Sequence, residues 1–135
     1  MENLGERGFT LIEVLVVCTI LGILSAIAVP KFTNSIAIAN TAKLQNDLQT
    51  LDAAIVMYET EKGAPPKNLE DLSDYITDIG HLKPPTGKCR LKGGEIVEIK
   101  DTAYTIKLVS GAGDNTKQSQ TRAVCDEKTS GSFGR

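Results

Sequence analysis

The segment GFTLIEVLVVCTILGILSAIAVP, residues 8–30, limits what this chain can fold into more than any other stretch. It holds no charge from residue 14 to residue 29, yet Glu13 stands near its start. From Phe9 to Val29 it is long enough to cross a bilayer as a helix, which takes about twenty residues at about 1.5 Å each. An acidic residue at the centre of such a helix costs roughly 2.5–3.5 kcal/mol on insertion scales, and less near its end. Pro30 removes a backbone donor where the run ends, so the helix is expected to bend or stop there. Three uses of the segment stay open. It can be a secretory signal peptide, for which Ala26-Ile27-Ala28 offers a small-residue cleavage pattern. It can be a plain anchor, with Glu13 snorkelling to the headgroups. Or Glu13 can await a positive partner. Cleavage after Gly8 would create one, the new amino group of Phe9, on the same chain or on a neighbour offset along a filament.

The rest of the chain is polar and ordinary. At 135 residues it allows one small domain plus an appendage. Fifteen basic residues face seventeen acidic ones with no basic run, which leaves no electrostatic footprint for nucleic acid. There is no Trp, and aromatics make up 4%, which disfavours a large aromatic-lined ligand pocket. No nucleophile elbow, zinc-protease helix motif, phosphate loop or dinucleotide fingerprint occurs, and the one histidine, His81, is isolated. These features point away from an enzyme and call for no cofactor.

After Pro30 the pattern turns amphipathic. Leu44, Leu48, Leu51, Ile55 and Tyr58 recur at helical spacing, while Asn46, Asp47, Gln49 and Asp52 face elsewhere. The helix is predicted to run to Lys62, with Gly63 as its stop and Pro65-Pro66 beyond. Its stripe serves either as a face packed on the chain's own sheet or as a coiled-coil seam. A short helix is predicted after Asn68, with Leu69, Leu72, Ile76 and Ile79 as its apolar face. Asp71 and Asp74 read as a solvated face of it. CRLK, Gly93-Gly94 and EIVEIK form a hairpin, AYTIKLVS a further strand, and TRAVCD a last one. The expected fold is α+β: a long N-terminal helix, half transmembrane and half amphipathic, on a small antiparallel sheet of three to four strands. The divisions are a leader (1–8), a hydrophobic helix (9–30), an amphipathic helix (31–62), a globular head (63–126) and a flexible tail (127–135). Cys18 reads as a small hydrophobe within the apolar run. Cys89 and Cys125 can pair if the head lies outside the cytoplasm, or stay as two buried thiols.

The run RGFTLIEVLVV, followed by GIL and AIAVPKF, closely resembles the N-terminal signature of type IV pilins and of the pseudopilins of type II secretion. The resemblance covers residues 7–32. A shorter likeness, MYETEKGAPPKNLEDL, is to the region after the long helix in major pseudopilins. The resemblance implies cleavage between Gly8 and Phe9 by a prepilin peptidase, and methylation of the Phe9 amine. It implies that Glu13 contacts that amine on an adjacent subunit and sets the stagger of assembly. Gly22 and Pro30 bracket a stretch with weakened helical hydrogen bonding, where local melting is expected during assembly. The implied partners are copies of the chain in a helical homopolymer, minor pilins or pseudopilins, the peptidase, an inner-membrane platform protein and an assembly ATPase. The implied location is the bacterial inner membrane, head outside, and then a periplasmic pseudopilus or a surface pilus. The major pseudopilin is the leading reading. The alternatives are a type IV pilin for adhesion, twitching motility or DNA uptake, and a secreted binding domain behind an ordinary signal peptide. Some major pseudopilins bind calcium. Asp114 and Asn115 in the GAGDNT loop are the only candidate ligands found for it, too few to define a site.

Overall fold

A computed structural model describes residues 8–110 and 119–134. Its first element, α1, is a helix over Leu11–Lys62. Contacts divide the chain into two units, Met1–Ser35 and Ile36–Arg135.

In the first unit the apolar side chains from Phe9 to Phe32 are largely exposed, as suits a helix whose solvent is not water. Its hydroxyls are hidden locally. Thr19 Oγ1 donates to the Leu15 carbonyl and Ser25 Oγ to the Leu21 carbonyl, both at 2.8 Å. Each polar group is thus satisfied one turn back on its own helix. Pro30 neither stops nor interrupts α1. It removes one N–H from the ladder, and the turns on either side keep helical geometry.

The second unit is built on the predicted stripe. Leu44, Leu48, Leu51 and Ile55 are fully buried, and the apolar cluster around them includes Leu72, Ile76, Cys89, Ile99, Tyr104, Ala123, Cys125 and Phe133. The stripe is therefore filled by the chain's own head rather than left open as a coiled-coil seam. Gly63 ends the helix at φ +71°, a left-handed conformation that glycine adopts without strain.

Four strands follow: β1 (Gly87–Arg90), β2 (Ile96–Ile99), β3 (Thr105–Ser110) and β4 (Ser119–Val124). They are antiparallel, but they pair as two two-stranded sheets, β1 with β2 and β3 with β4. The α+β class holds, with its strands split between two small sheets. The Gly93-Gly94 turn joins β1 to β2 as the sequence indicates, with both glycines at positive φ and Cys89 opposite Val97. At the far end of these strands, Asp126 accepts from the Lys100 and Asp101 N–H groups, and Asp101 accepts from the Asp126 N–H. That reciprocal latch ties the end of β2 to the end of β4.

Three expectations need correction. The short helix after Asn68 is two 3-10 turns, Leu69–Leu72 and Ile79–His81. Asp71 is not idle on a solvated face: its carboxylate accepts from the Lys67 and Asn68 N–H groups, and those bonds hold it below its ordinary range. Second, the tail (127–135) is not loose over its described residues. Phe133 is buried, Lys92 N–H donates to the Ser132 carbonyl, Gly134 N–H donates to the Arg90 carbonyl, and Gln45 Nε2 donates to the Phe133 carbonyl. The segment covers the outer edge of β1, where Leu91 bridges Phe133. Third, Cys89 and Cys125 are free thiols rather than a disulfide. Both are fully buried in the core. Burial pushes the Cys125 thiol up to about 12 and raises Cys89 as well, as expected for small hydrophobes without water.

Candidate processing and assembly site

Gly8, Phe9 and Glu13 lie together at the N-terminal end of α1. Gly8 is exposed, and nothing approaches the position a side chain there would take. Phe9 is 86% exposed, the most open of the large apolar side chains among the described residues. Both flanks of the bond between them are therefore accessible.

Glu13 is not held by Phe9 in this structure. Its partner is Thr10. The Thr10 N–H donates to Glu13 Oε2 at 2.8 Å, and Thr10 Oγ1 donates to the same oxygen at 2.9 Å. In return the Glu13 N–H donates to Thr10 Oγ1 at 3.3 Å. This is a reciprocal capping box, with Thr10 as N-cap and Glu13 at the third helical position. It places the carboxylate on the positive end of the helix dipole. A free helix end in lipid leaves backbone donors without water, and the Glu13 carboxylate takes one of them. The acid is thereby partnered within its own chain. Both hydrogen bonds use Oε2, and Oε1 has no partner among the described residues. One carboxylate oxygen is left for a donor from elsewhere.

Gly22 lies in the helix interior, exposed, with open space where a Cβ would stand. Gly22 and Pro30 are both intact parts of α1, so the stretch between them is helical in the single chain. Asp114 and Asn115 lie outside the described residues.

Two acids of the second unit serve the head rather than solvent. Asp47 is 7% exposed and accepts from Tyr104 Oη at 2.7 Å and from Lys43 Nζ. Burial and that bond to Asp47 push the Tyr104 hydroxyl far up. Asp52 Oδ2 accepts twice from Arg122, and its Oδ1 accepts from the Ala123 N–H at 2.9 Å. These two carboxylates pin α1 to the β3–β4 hairpin. The Thr-x-x-Glu pattern before an apolar run was a readable signal for the capping box. No local signal announces the two pins.

Comparison with known proteins agrees with this geometry. Residues 3–29 match the family model described as the prokaryotic N-terminal methylation motif. The type II secretion system core protein G of Klebsiella michiganensis is 34% identical over 57% of this chain and 54% of its own length. The protein of that name from Pseudomonas aeruginosa is 34% identical over 64% of this chain and 57% of its own length. The chain thus spans little more than half the length of these curated relatives. The type IV major pilin protein PilE1 of Neisseria gonorrhoeae is 27% identical over 96% of this chain and 74% of its own length. No solved structure matches the chain. An apolar N-terminal helix that opens on Gly8-Phe9 and Glu13, a small α+β head after it in the chain, the methylation motif and these relatives agree: the chain is similar to type IV pilins and to the core protein G of type II secretion systems.

Proposed function

We propose that this chain is a structural filament subunit, most specifically the major pseudopilin of a type II secretion system. Prepilin peptidase cleaves it between Gly8 and Phe9, the Phe9 amine is methylated, and subunits polymerise through residues 9–30. The observation that carries this reading is the state of Glu13. It is the one charge in the apolar helix, it is capped within its own chain, and Oε1 still accepts. Apolar helices have similar affinity for lipid and for one another, so hydrophobicity alone sets no register between them. A cation presented by the next subunit at Oε1 does. The pair adds registration rather than net stability, because burying both charges costs about what their attraction returns. Before assembly the helix holds the chain in the inner membrane with the head outside. Minor pseudopilins, a platform protein and an assembly ATPase are the further partners of this reading. A type IV pilin is the second reading, favoured by the alignment with the gonococcal pilin along nearly the whole chain.

The test is the pair of variants Glu13→Ala and Gly8→Ala in cells that assemble the wild type. Expected is normal membrane insertion for both, a mature N-terminus at Phe9 for Glu13→Ala with few or no filaments, and an uncleaved chain for Gly8→Ala. Full assembly by Glu13→Ala in competition with wild type, or a mature N-terminus at Val29, overturns the proposal.

A further inference from the structure

We infer that the unit Ile36–Arg135 carries, at its first helical turns, a docking surface for anionic lipid headgroups. The inference rests on reading residues 9–29 as a membrane anchor, not on filament assembly. Four cations are gathered there by the fold. Asn40 Nδ2 donates to the Thr86 and Lys88 carbonyls, both at 3.2 Å. The Arg90 N–H donates to Thr41 Oγ1 at 2.6 Å. Lys43 Nζ donates to the Lys83 carbonyl at 2.9 Å. The backbones of Lys83, Lys88 and Arg90 are thus fastened to residues 40–43. On β1 the buried Cys89 points inward, so Lys88 and Arg90 share the outward face. Lys83 and Lys88 are exposed and Arg90 is half-exposed. Among the described residues Lys43 alone of the four has an ion pair, with Asp47. Glu98 stands opposite Lys88 across the hairpin and Asp47 holds Lys43, so these four cations face two acids.

Chain connectivity keeps this cluster close to the bilayer. Asn40 follows Val29, the end of the apolar run, by eleven residues. At helical rise that is about 16 Å. The headgroup layer takes up about 6 Å of it, and a Debye length at physiological salt covers about 8 Å more. The opposite end of the unit has the other sign. Glu61 accepts from Tyr75 there, and Glu59, Glu61, Glu70, Asp71 and Asp74 outnumber Lys62 and Lys67 in the same two segments. An anionic surface attracts the first end and repels the second. It therefore engages the head by its basic end.

The test uses the full chain with Cys18→Ala and Thr86→Cys, labelled at position 86 with a fluorophore. It is reconstituted into vesicles of phosphatidylcholine, alone or mixed with phosphatidylglycerol, that carry a headgroup quencher. Flotation with the vesicles checks the anchor separately. Near-ultraviolet tyrosine dichroism checks the fold. Expected is stronger quenching with phosphatidylglycerol, reversed by high salt. Lys83→Gln/Lys88→Gln/Arg90→Gln lowers the docked-to-free ratio by about tenfold to a hundredfold at low salt, since each cation near such a surface counts for about fivefold. Lys62→Gln/Lys67→Gln leaves it unchanged. Quenching indifferent to phosphatidylglycerol or to the triple substitution overturns the inference. So does shielding that follows protein density rather than lipid charge, which would assign the surface to a second copy of the chain.

Discussion

Truncating Phe133 to alanine tests whether the C-terminal segment is part of the core. The side chain is 2% exposed and packs in the cluster built around Leu44, Leu48 and Leu51. Removing a buried phenylalanine costs about 3–5 kcal/mol, from lost transfer energy and the cavity left behind. For a unit of about 100 residues, each kcal/mol lowers Tm by about 4–8 °C, so the loss is roughly 12–40 °C. Phe133→Leu keeps most of the volume and costs less than about 1.5 kcal/mol. The chain has three Tyr and no Trp, and Tyr104 is buried in the same cluster. Tyrosine dichroism of the full chain in detergent therefore reports this core directly during a thermal melt. A Phe133→Ala variant that melts within a few degrees of wild type would refute the docking of the segment. So would equal losses for alanine and leucine.

Other consequences are as definite. Asp52→Ala leaves Arg122 and the Ala123 N–H without their acceptor and is expected to cost about 2–3 kcal/mol in the same melt, whereas Glu70→Ala, exposed, is neutral. Thr10→Val breaks the capping box, and amide exchange in the first turn of α1 should quicken about fivefold, with the turns after Gly22 unaffected. At neutral pH a maleimide should label Cys18 in detergent-solubilised chain and leave Cys89 and Cys125 unmodified until the head is unfolded. The Cys125 thiol is held protonated in the folded head up to about 12, against an ordinary 9.0. The unfolded chain therefore releases that proton first as pH rises. The contribution is whole below pH 9 and is lost as pH climbs towards 12. Comparing wild type with Cys125→Ala across that window isolates it, and identical slopes would contradict it.

What the sequence discloses here is what short-range physics decides. The apolar run, the stop at Gly63, the leucine stripe and the Gly93-Gly94 hairpin each follow from spacing or backbone preference within a few residues. Phe133 escaped because one aromatic in a polar stretch has no period to betray it. Its burial depends on β1 offering an edge that the segment can cover. The division into two small sheets is likewise a matter of long-range pairing, which strand propensity does not determine. Asp47 and Asp52 are expected to face away from the stripe, but Asp47 lies on the buried face itself, three residues after Leu44 and four before Leu51, and Asp52 is half-buried beside it. Tyr104, 57 residues from Asp47, and Arg122, 70 residues from Asp52, make them structural. At the N-terminus the charge of Glu13 drew attention to a partner on another chain. The nearer one, Thr10 three residues away, was already written in the sequence.

The most direct measurement is a filament map with side chains resolved around Phe9 and Glu13. Expected is a chain that begins at Phe9, with its amine within about 4 Å of the Glu13 carboxylate of a neighbouring subunit. Residues 1–8 still attached, or a Glu13 that faces water with no amine beside it, would contradict the proposed role.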